Sequence, residues 1–166
     1  MKKLLIIGGA GFIGSNACYF FAKKKYKIYV IDSLSYASNL NNIKPLILSK
    51  KIEFKKINIS NFNLLNQFIF DFKPNLIINF AAESHVDNSI KSPTIFFKSN
   101  VSGVYNLFFS IKKFNDKYKK NKIKFFQVST DEVYGSLSRN FANEDYPLYP
   151  SSPYSSSKAA ADCLVM

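Results

Sequence analysis

A parallel, doubly wound α/β sheet is the fold class this sequence predicts, and three observations predict it. Five strand-sized apolar runs alternate with helix-sized amphipathic stretches in the order β-α-β-α-β-α-β-α-β, the pattern of parallel strands joined by helical crossovers. The first run leads directly into Gly8-Gly9-Ala10-Gly11-Phe12-Ile13-Gly14, a glycine-rich turn of the kind that lets such a sheet approach a ligand. The fifth leads into the polar heptapeptide Ser129-Thr130-Asp131-Glu132-Val133-Tyr134-Gly135, at the strand end where ligands bind in these sheets. With 166 residues, 47% hydrophobic and 20% charged, the chain has the length and balance of one domain, residues 1–166, with a sizeable core.

Taken in order, Lys3 to Ile7 is a short apolar run bounded by glycine, as a fully buried parallel strand should be. Ser15 to Lys25 reads as the first helix, with aromatic and small residues on its inner face, and Lys27 to Ile31 as the second strand. Ser33 to Asn42 is a polar loop whose Tyr36 and Asn39 can wrap the adenosine end of a dinucleotide. Lys51 to Ile57 forms the third strand, and Asn61 to Phe72 an amphipathic helix stopped by Pro74. Leu76 to Phe80 is the fourth strand, running into Ala81-Ala82-Glu83-Ser84-His85-Val86-Asp87. After Pro93 one long helix extends to about Lys113, with Ser99 and Asn100 in its early turns. Ile123 to Val128 is the fifth strand. Arg139 to Pro153, with Pro147, Pro150 and Pro153, makes an extended loop before the last helix. The arrangement is a Rossmann-type sheet of strand order 3-2-1-4-5 with right-handed crossovers.

Strand, glycine turn and helix follow one another as a dinucleotide site requires. Gly8 permits the tight turn, Gly11 lets the backbone approach a pyrophosphate, and Gly14 lets helix and strand pack closely. Asp32 stands at the end of the second strand, eighteen residues beyond Gly14. A carboxylate there accepts hydrogen bonds from the adenosine ribose and repels a 2′-phosphate, which favours NAD over NADP.

The heptapeptide sets two carboxylates beside a hydroxyl. In a regular strand Asp131 and Glu132 point to opposite faces, so the backbone must leave strand geometry after Val128 for both to reach one substrate. Tyr154 and Lys158 follow, four residues apart and on one face of the last helix. A tyrosine needs help to act as a base near neutral pH, and the lysine together with an oxidised nicotinamide supplies positive charge that favours the phenolate. His85, the one histidine, reads as a hydrogen-bonded structural residue.

Charge and cysteine usage exclude other classes. The net charge is +12, but the lysines are scattered from Lys2 to Lys158, Arg139 is the one arginine, and the densest cluster, Lys112 to Lys124, sits where a helix should end. That is a solubilised helix end rather than a nucleic-acid surface. Cys18 and Cys163 lack metal-ligand spacing and read as two buried thiols of a reduced, cytoplasmic protein, with no metal site. No apolar stretch reaches the roughly 20 residues of a membrane helix, and the glycines interrupt what otherwise imitates a signal peptide at Met1 to Ile13.

The words Gly8 to Ser15, Asp32 to Leu40, Ala81 to Asp87, Ser129 to Gly135 and Pro150 to Lys158 together resemble the extended short-chain dehydrogenase/reductases, the NAD-dependent epimerase/dehydratase family. Within it, the Thr-Asp-Glu triplet is similar to that of the nucleotide-sugar 4,6-dehydratases. The resemblance implies NAD as cofactor and a nucleotide sugar, dTDP-glucose, as substrate. It places Gly8, Gly11, Phe12, Ile13, Gly14, Asp32, Ser33, Leu34, Ser35, Asn58 and Ile59 against the cofactor. It places Phe80, Ala81, Ala82, Glu83, Ser84, Ser99, Tyr154 and Lys158 there too, with Ser84 and Thr130 facing the substrate. In the implied reaction Tyr154 takes the proton of the sugar 4-hydroxyl while hydride passes from C4 to NAD. Thr130 hydrogen-bonds that oxygen and Lys158 holds the nicotinamide ribose. Glu132 removes the C5 proton, Asp131 protonates the departing 6-hydroxyl, and hydride returns to C6.

Asn58 departs from an expected aspartate but keeps a carbonyl acceptor, while Asn88 and Val104 replace a frequent arginine and threonine. The resemblance further implies a homodimer through the helix carrying Tyr154 and the helix preceding the fifth strand. It also implies that the substrate half lies beyond Met166, so that the fragment alone is inactive. Two other readings remain open. A sugar-nucleotide 4-epimerase needs Tyr154 and Lys158 without the carboxylate pair, and a non-catalytic NAD-binding module needs neither elimination nor turnover.

Overall fold

The computed structural model describes residues 1–137 and 141–166. Five parallel strands form one sheet in the order β3-β2-β1-β4-β5, as predicted. They are β1 (Lys2–Ile7), β2 (Tyr26–Asp32), β3 (Ile52–Lys56), β4 (Leu76–Asn79) and β5 (Lys124–Gln127). The central register runs from Lys2 opposite Tyr26 to Ile7 opposite Ile31, with Leu4 to Ile7 opposite Leu76 to Asn79 on the other side. Alternation along β1 sends its side chains to the two faces of the sheet. Leu5 and Ile7 join Leu65, Ile69, Leu107 and Phe114 in one core. Leu4 and Ile6 join Val30, Cys18 and Leu46 in the other. Both faces are thus covered, which is why β1 carries no polar alternation.

The helices are α1 (Phe12–Phe21), α2 (Lys44–Leu48), α3 (Phe62–Phe72), α4 (Val86–Lys91), α5 (Pro93–Phe96), α6 (Gly103–Lys117) and α7 (Pro153–Val165). Asn61 caps α3 by accepting from the Leu64 N–H, and Lys73 ends it in the left-handed conformation. Three corrections to the sequence reading arise here. Helix α1 begins at Phe12 rather than Ser15 and ends at Phe21, because the last glycine of the turn lies inside the helix. Helices α2 and α4 occupy stretches to which no element was assigned. The single long helix after Pro93 is α5, a π-helical turn over Phe97–Ser102, and α6. The start of the predicted Arg139 to Pro153 loop falls partly outside the described residues, and residues 141–152 hold no helix or strand.

Cys18 is buried, but Cys163 is exposed on α7, so the expectation of two buried thiols holds for one. Burial, with Asp32 nearby, pushes the Cys18 thiol up to about 12, leaving it inert. The lysine-rich end of α6 is seated on aromatic rings. Lys113 Nζ lies 5.3 Å and 5.1 Å from the ring centres of Phe62 and Phe109, and Lys117 Nζ 5.7 Å from that of Phe70. Cation–π contact accounts for this part of the basic cluster.

Candidate active site

The C-terminal ends of the strands surround a cleft of about 630 Å³. Its walls are the glycine turn, the ends of β2, β3 and β4 with the loops that follow them, Val128 and Ser129 beyond β5, and Tyr154 and Lys158 from α7. Of the residues assigned to the cofactor, Gly8, Gly11, Phe12, Ile13, Gly14, Asp32, Ser33, Ser35, Asn58 and Ile59 line it. So do Phe80 to Ser84, Ser99, Tyr154 and Lys158. Leu34 does not; its side chain packs on the core that contains Leu4. The cleft also leaves out Tyr36 and Asn39 and takes Ala37 and Ser38 instead. Asn39 is exposed, with its backbone N–H bonded to the Ala10 carbonyl and its side chain accepting from the Asn41 N–H, and Tyr36 is exposed too.

The glycine turn is shaped for a bound backbone-scale group. Gly8 has φ +75°, and a Cβ there would sit 2.6 Å from the Ala81 nitrogen. At Gly14 a Cβ would run into the Gly8 carbonyl and lie 2.9 Å from Gly9 Cα. Gly11 differs: an added Cβ would meet only the Gly8 oxygen, at 3.4 Å, and would otherwise fill open cleft. Helix α1 starts there with no side-chain cap and no acidic residue in its first turn, so its N-terminal dipole is open to an anion. These features fit the pyrophosphate of a dinucleotide.

Asp32 is 3% exposed and more heavily engaged than its sequence reading implies. One carboxylate oxygen accepts from the Ala10 N–H at 2.9 Å, and the other from the Leu34 N–H and the Ser38 hydroxyl, each at 2.8 Å. Of the roughly four lone-pair positions of a carboxylate, three are thereby used within the protein. Asp32 ties the glycine turn to the following loop and keeps limited capacity for a ribose. Asn58 likewise spends its carbonyl oxygen on the Ser60 N–H, at 2.8 Å.

Asn100, to which sequence reasoning gave no role, is 1% exposed and joins three segments. Its oxygen accepts from the Glu83 N–H at 2.8 Å. Its nitrogen donates to the Glu83 carbonyl and to the Ser157 hydroxyl, each at 2.9 Å. Glu83 is thus clamped at the cleft wall, where burial pushes its carboxyl up from the usual range. The lone His85 is exposed at the start of α4 with no side-chain capping bond, contrary to the expected hydrogen-bonded structural role.

After Val128 the backbone leaves strand geometry, and Asp131–Tyr134 form a 3₁₀ turn. The Thr130 hydroxyl oxygen accepts from the Glu132 N–H at 3.3 Å. Asp131 and Glu132 are exposed and stand outside the cleft lining, at the rim beside Tyr154. A capping box between Ser152 and Ser155 starts α7. Tyr154 is 8% exposed, with its ring edge-on to Phe96 at 6.3 Å. Burial raises its pKa, Glu132 and Asp131 add to the rise, and the Thr130 hydroxyl acts in the opposite direction. All four groups therefore share one locality.

Lys158 is placed differently from the sequence reading. Its ammonium donates to the Val128 carbonyl at 2.6 Å, while both Lys158 and Tyr154 line the cleft. Burial lowers the Lys158 pKa and Asp162 opposes that change. A phenolate-absorbance difference titration against Tyr154→Phe should show this tyrosine ionising above the ordinary value near 10. Because the folded chain holds that proton more tightly, the group's stabilising contribution is complete below the unfolded value. It is lost as pH rises through the folded one. Ordinary ionisation of Tyr154 would show that burial does not control it.

Fold and cleft define a doubly wound α/β protein of the short-chain dehydrogenase/reductase type. Residues 5–166 match the family model described as GDP-mannose 4,6 dehydratase, and the chain belongs to that family. It is 37% identical to the dTDP-glucose 4,6-dehydratase of Haemophilus influenzae, across 99% of this chain and 51% of that protein. Among solved structures, it is 42% identical to the dTDP-glucose 4,6-dehydratase of Bacillus anthracis in complex with NAD. That match has a TM-score of 0.82 and covers 99% of this chain and 49% of the other. The UDP-Glc/GlcNAc 4-epimerase of Campylobacter jejuni superposes with a TM-score of 0.90 at 28% identity, covering 99% of this chain and 48% of the other. The chain spans about half the length of the curated relatives it matches.

Proposed function

We propose that the protein carrying this chain is an NAD-dependent nucleotide-sugar 4,6-dehydratase acting on dTDP-glucose. It would form the 4-keto-6-deoxy sugar by oxidation at C4, loss of water across C5–C6 and reduction at C6. The observation that carries this reading is the Thr130-Asp131-Glu132 turn standing beside the Tyr154 phenol at the mouth of the cleft. NAD, when bound, supplies the acceptor for the C4 hydrogen and returns it to C6. The glycine turn, the α1 N-terminus and Asp32 would hold its pyrophosphate and ribose, and Lys158 its second ribose. Tyr154 takes the proton of the 4-hydroxyl, with Thr130 bonded to the same oxygen. The resulting ketone acidifies C5–H. Glu132 takes that proton, and Asp131 protonates the 6-hydroxyl so that it leaves as water. The C5 proton is then restored from Glu132 as C6 is reduced, and the proton gained by Tyr154 replaces, by way of solvent, the one Asp131 gave to the departing water, which balances the sequence. Ser84, on the cleft wall, faces the sugar.

Residues 1–166 act as one nucleotide-binding domain in this reading, within a cytoplasmic homodimer that pairs α6 and α7 with their copies. Among the described residues no helix is long and apolar enough to cross a membrane. The epimerase reading draws on the Campylobacter jejuni structure and needs Tyr154 and Lys158 alone. Incubation of the whole protein carrying this chain with dTDP-glucose and NAD separates the two: the dehydratase gives a 4-keto-6-deoxy sugar, and recovery of the 4-epimer without water loss rules it out.

A further inference from the structure

Two adjacent residues after β5 are held by two side chains one turn apart on α7. The Lys158 ammonium donates to the Val128 carbonyl at 2.6 Å, and the Ser129 hydroxyl donates to the Asp162 carboxylate. Tyr154, Lys158 and Asp162 recur at intervals of four and share a helix face. Asp162 is 8% exposed and Lys158 4%. Charges that deep are costly to bury unless compensated, and each of these two has a hydrogen-bond partner just after β5. The Asp162 charge supports the ammonium against desolvation, and the Ser129 hydroxyl serves the carboxylate.

We propose that Asp162 is a positioning residue for the reaction described above, acting through Ser129 and Lys158. It pins the root of the Thr130-Asp131-Glu132 turn to the helix that carries Tyr154, and its carboxylate favours the Lys158 ammonium. The turn meets α7 through the Thr130 hydroxyl, which acts on Tyr154, and through its buried Val133, but Asp131 and Glu132 are themselves exposed, so their placement depends on how the turn is rooted. Without the anchor, the carboxylates lose their fixed distance from the phenol. The inference rests on the dehydratase reading for its consequence and on the clamp alone for its geometry.

Single and double substitutions in the whole protein carrying this chain test it. Ser129→Ala and Asp162→Ala should each lower kcat by about tenfold, as modest misplacement of reacting groups does, with KM for dTDP-glucose little changed. The double variant should fall no further than the worse single one, because both remove the same anchor. Asp162→Asn keeps an acceptor for Ser129 and removes the charge. NMR titration of the Lys158 side chain should therefore move to lower pH in Asp162→Asn and stay in place in Ser129→Ala. Tyr154 on α7, Asp131 and Glu132 on the turn, Glu83 and Lys98 at the cleft, and Asp87 and Lys91 on α4, which packs against α7, are all unaltered in these variants. Multiplying effects on kcat, or a Lys158 titration indifferent to Asp162→Asn, overturn the proposal. A titration shift in a protein that turns over no dTDP-glucose supports the clamp and removes the dehydratase reading instead.

Discussion

Glu132→Gln is expected to abolish loss of water from dTDP-glucose while leaving the fold intact. Glu132 is exposed on the 3₁₀ turn, and its backbone N–H rather than its carboxylate makes the bond to Thr130. The substitution preserves shape and that bond, so thermal stability should stay within about 0.5 kcal/mol of the parent. What it removes is the one group in the proposed chemistry that accepts the C5 proton. Loss of a positioned general base costs about 10²- to 10⁴-fold, and formation of 6-deoxy product should fall by that amount. Exchange of the C5 hydrogen with deuterated water should fall in parallel. Reduction of bound nicotinamide should persist, because the 4-hydroxyl proton goes to Tyr154. If the variant eliminated water at the parent rate, Glu132 would not be the C5 base, and the rim carboxylates would need other roles.

The sheet was legible because its signals are local. Leu4 to Ile7 are buried, as are Ile28, Val30 and Ile31, and continuous apolar runs of that length bounded by glycine or aspartate read as parallel strands. The cleft was legible for the same reason, since strand ends, glycines and Asp32 occur in a fixed order along the chain. What escaped depends on tertiary contact. Helix α2 has five residues, a proline in its first turn and one buried side chain, Leu46, too little for a periodicity to register. The π turn at Phe97–Ser102 has no marker in residue type, yet it brings Asn100 to Glu83 and Ser157, partners 17 and 57 residues away. Asp162 and Ser129 are separated by 33 residues and look like ordinary polar positions until α7 is set against the end of β5. The direction of Lys158 escaped too. Spacing places it on the face of Tyr154, whereas the Val128 carbonyl decides where the ammonium goes.

Gly14→Ala should unfold the chain at markedly lower temperature, and its comparison with Gly11→Ala separates packing from ligand binding within one turn. A Cβ at Gly14 meets three atoms of one peptide unit of the turn: the Gly8 oxygen, the Gly8 carbonyl carbon at 2.9 Å and Gly9 Cα at 2.9 Å. None of these is a flexible side-chain end, so relief requires α1 to move away from β1. Overpacking of that kind costs about 1–3 kcal/mol, and a rigid backbone neighbour puts this case at the upper end, about 3 kcal/mol. For a chain of this size each kcal/mol lowers Tm by about 2–4 °C, so a fall of about 6–12 °C is expected by calorimetry or circular dichroism. Gly11→Ala places its methyl in open cleft and should cost about 1 kcal/mol or less, mainly through the helix cap. Its effect belongs in the ligand: NAD binding should weaken by about tenfold or more, 1.4 kcal/mol, because the methyl occupies the space a pyrophosphate needs. Gly14→Ala melting with the parent would mean that helix and turn are not in close contact there. Undiminished NAD affinity in Gly11→Ala would mean that the pyrophosphate does not lie against this turn.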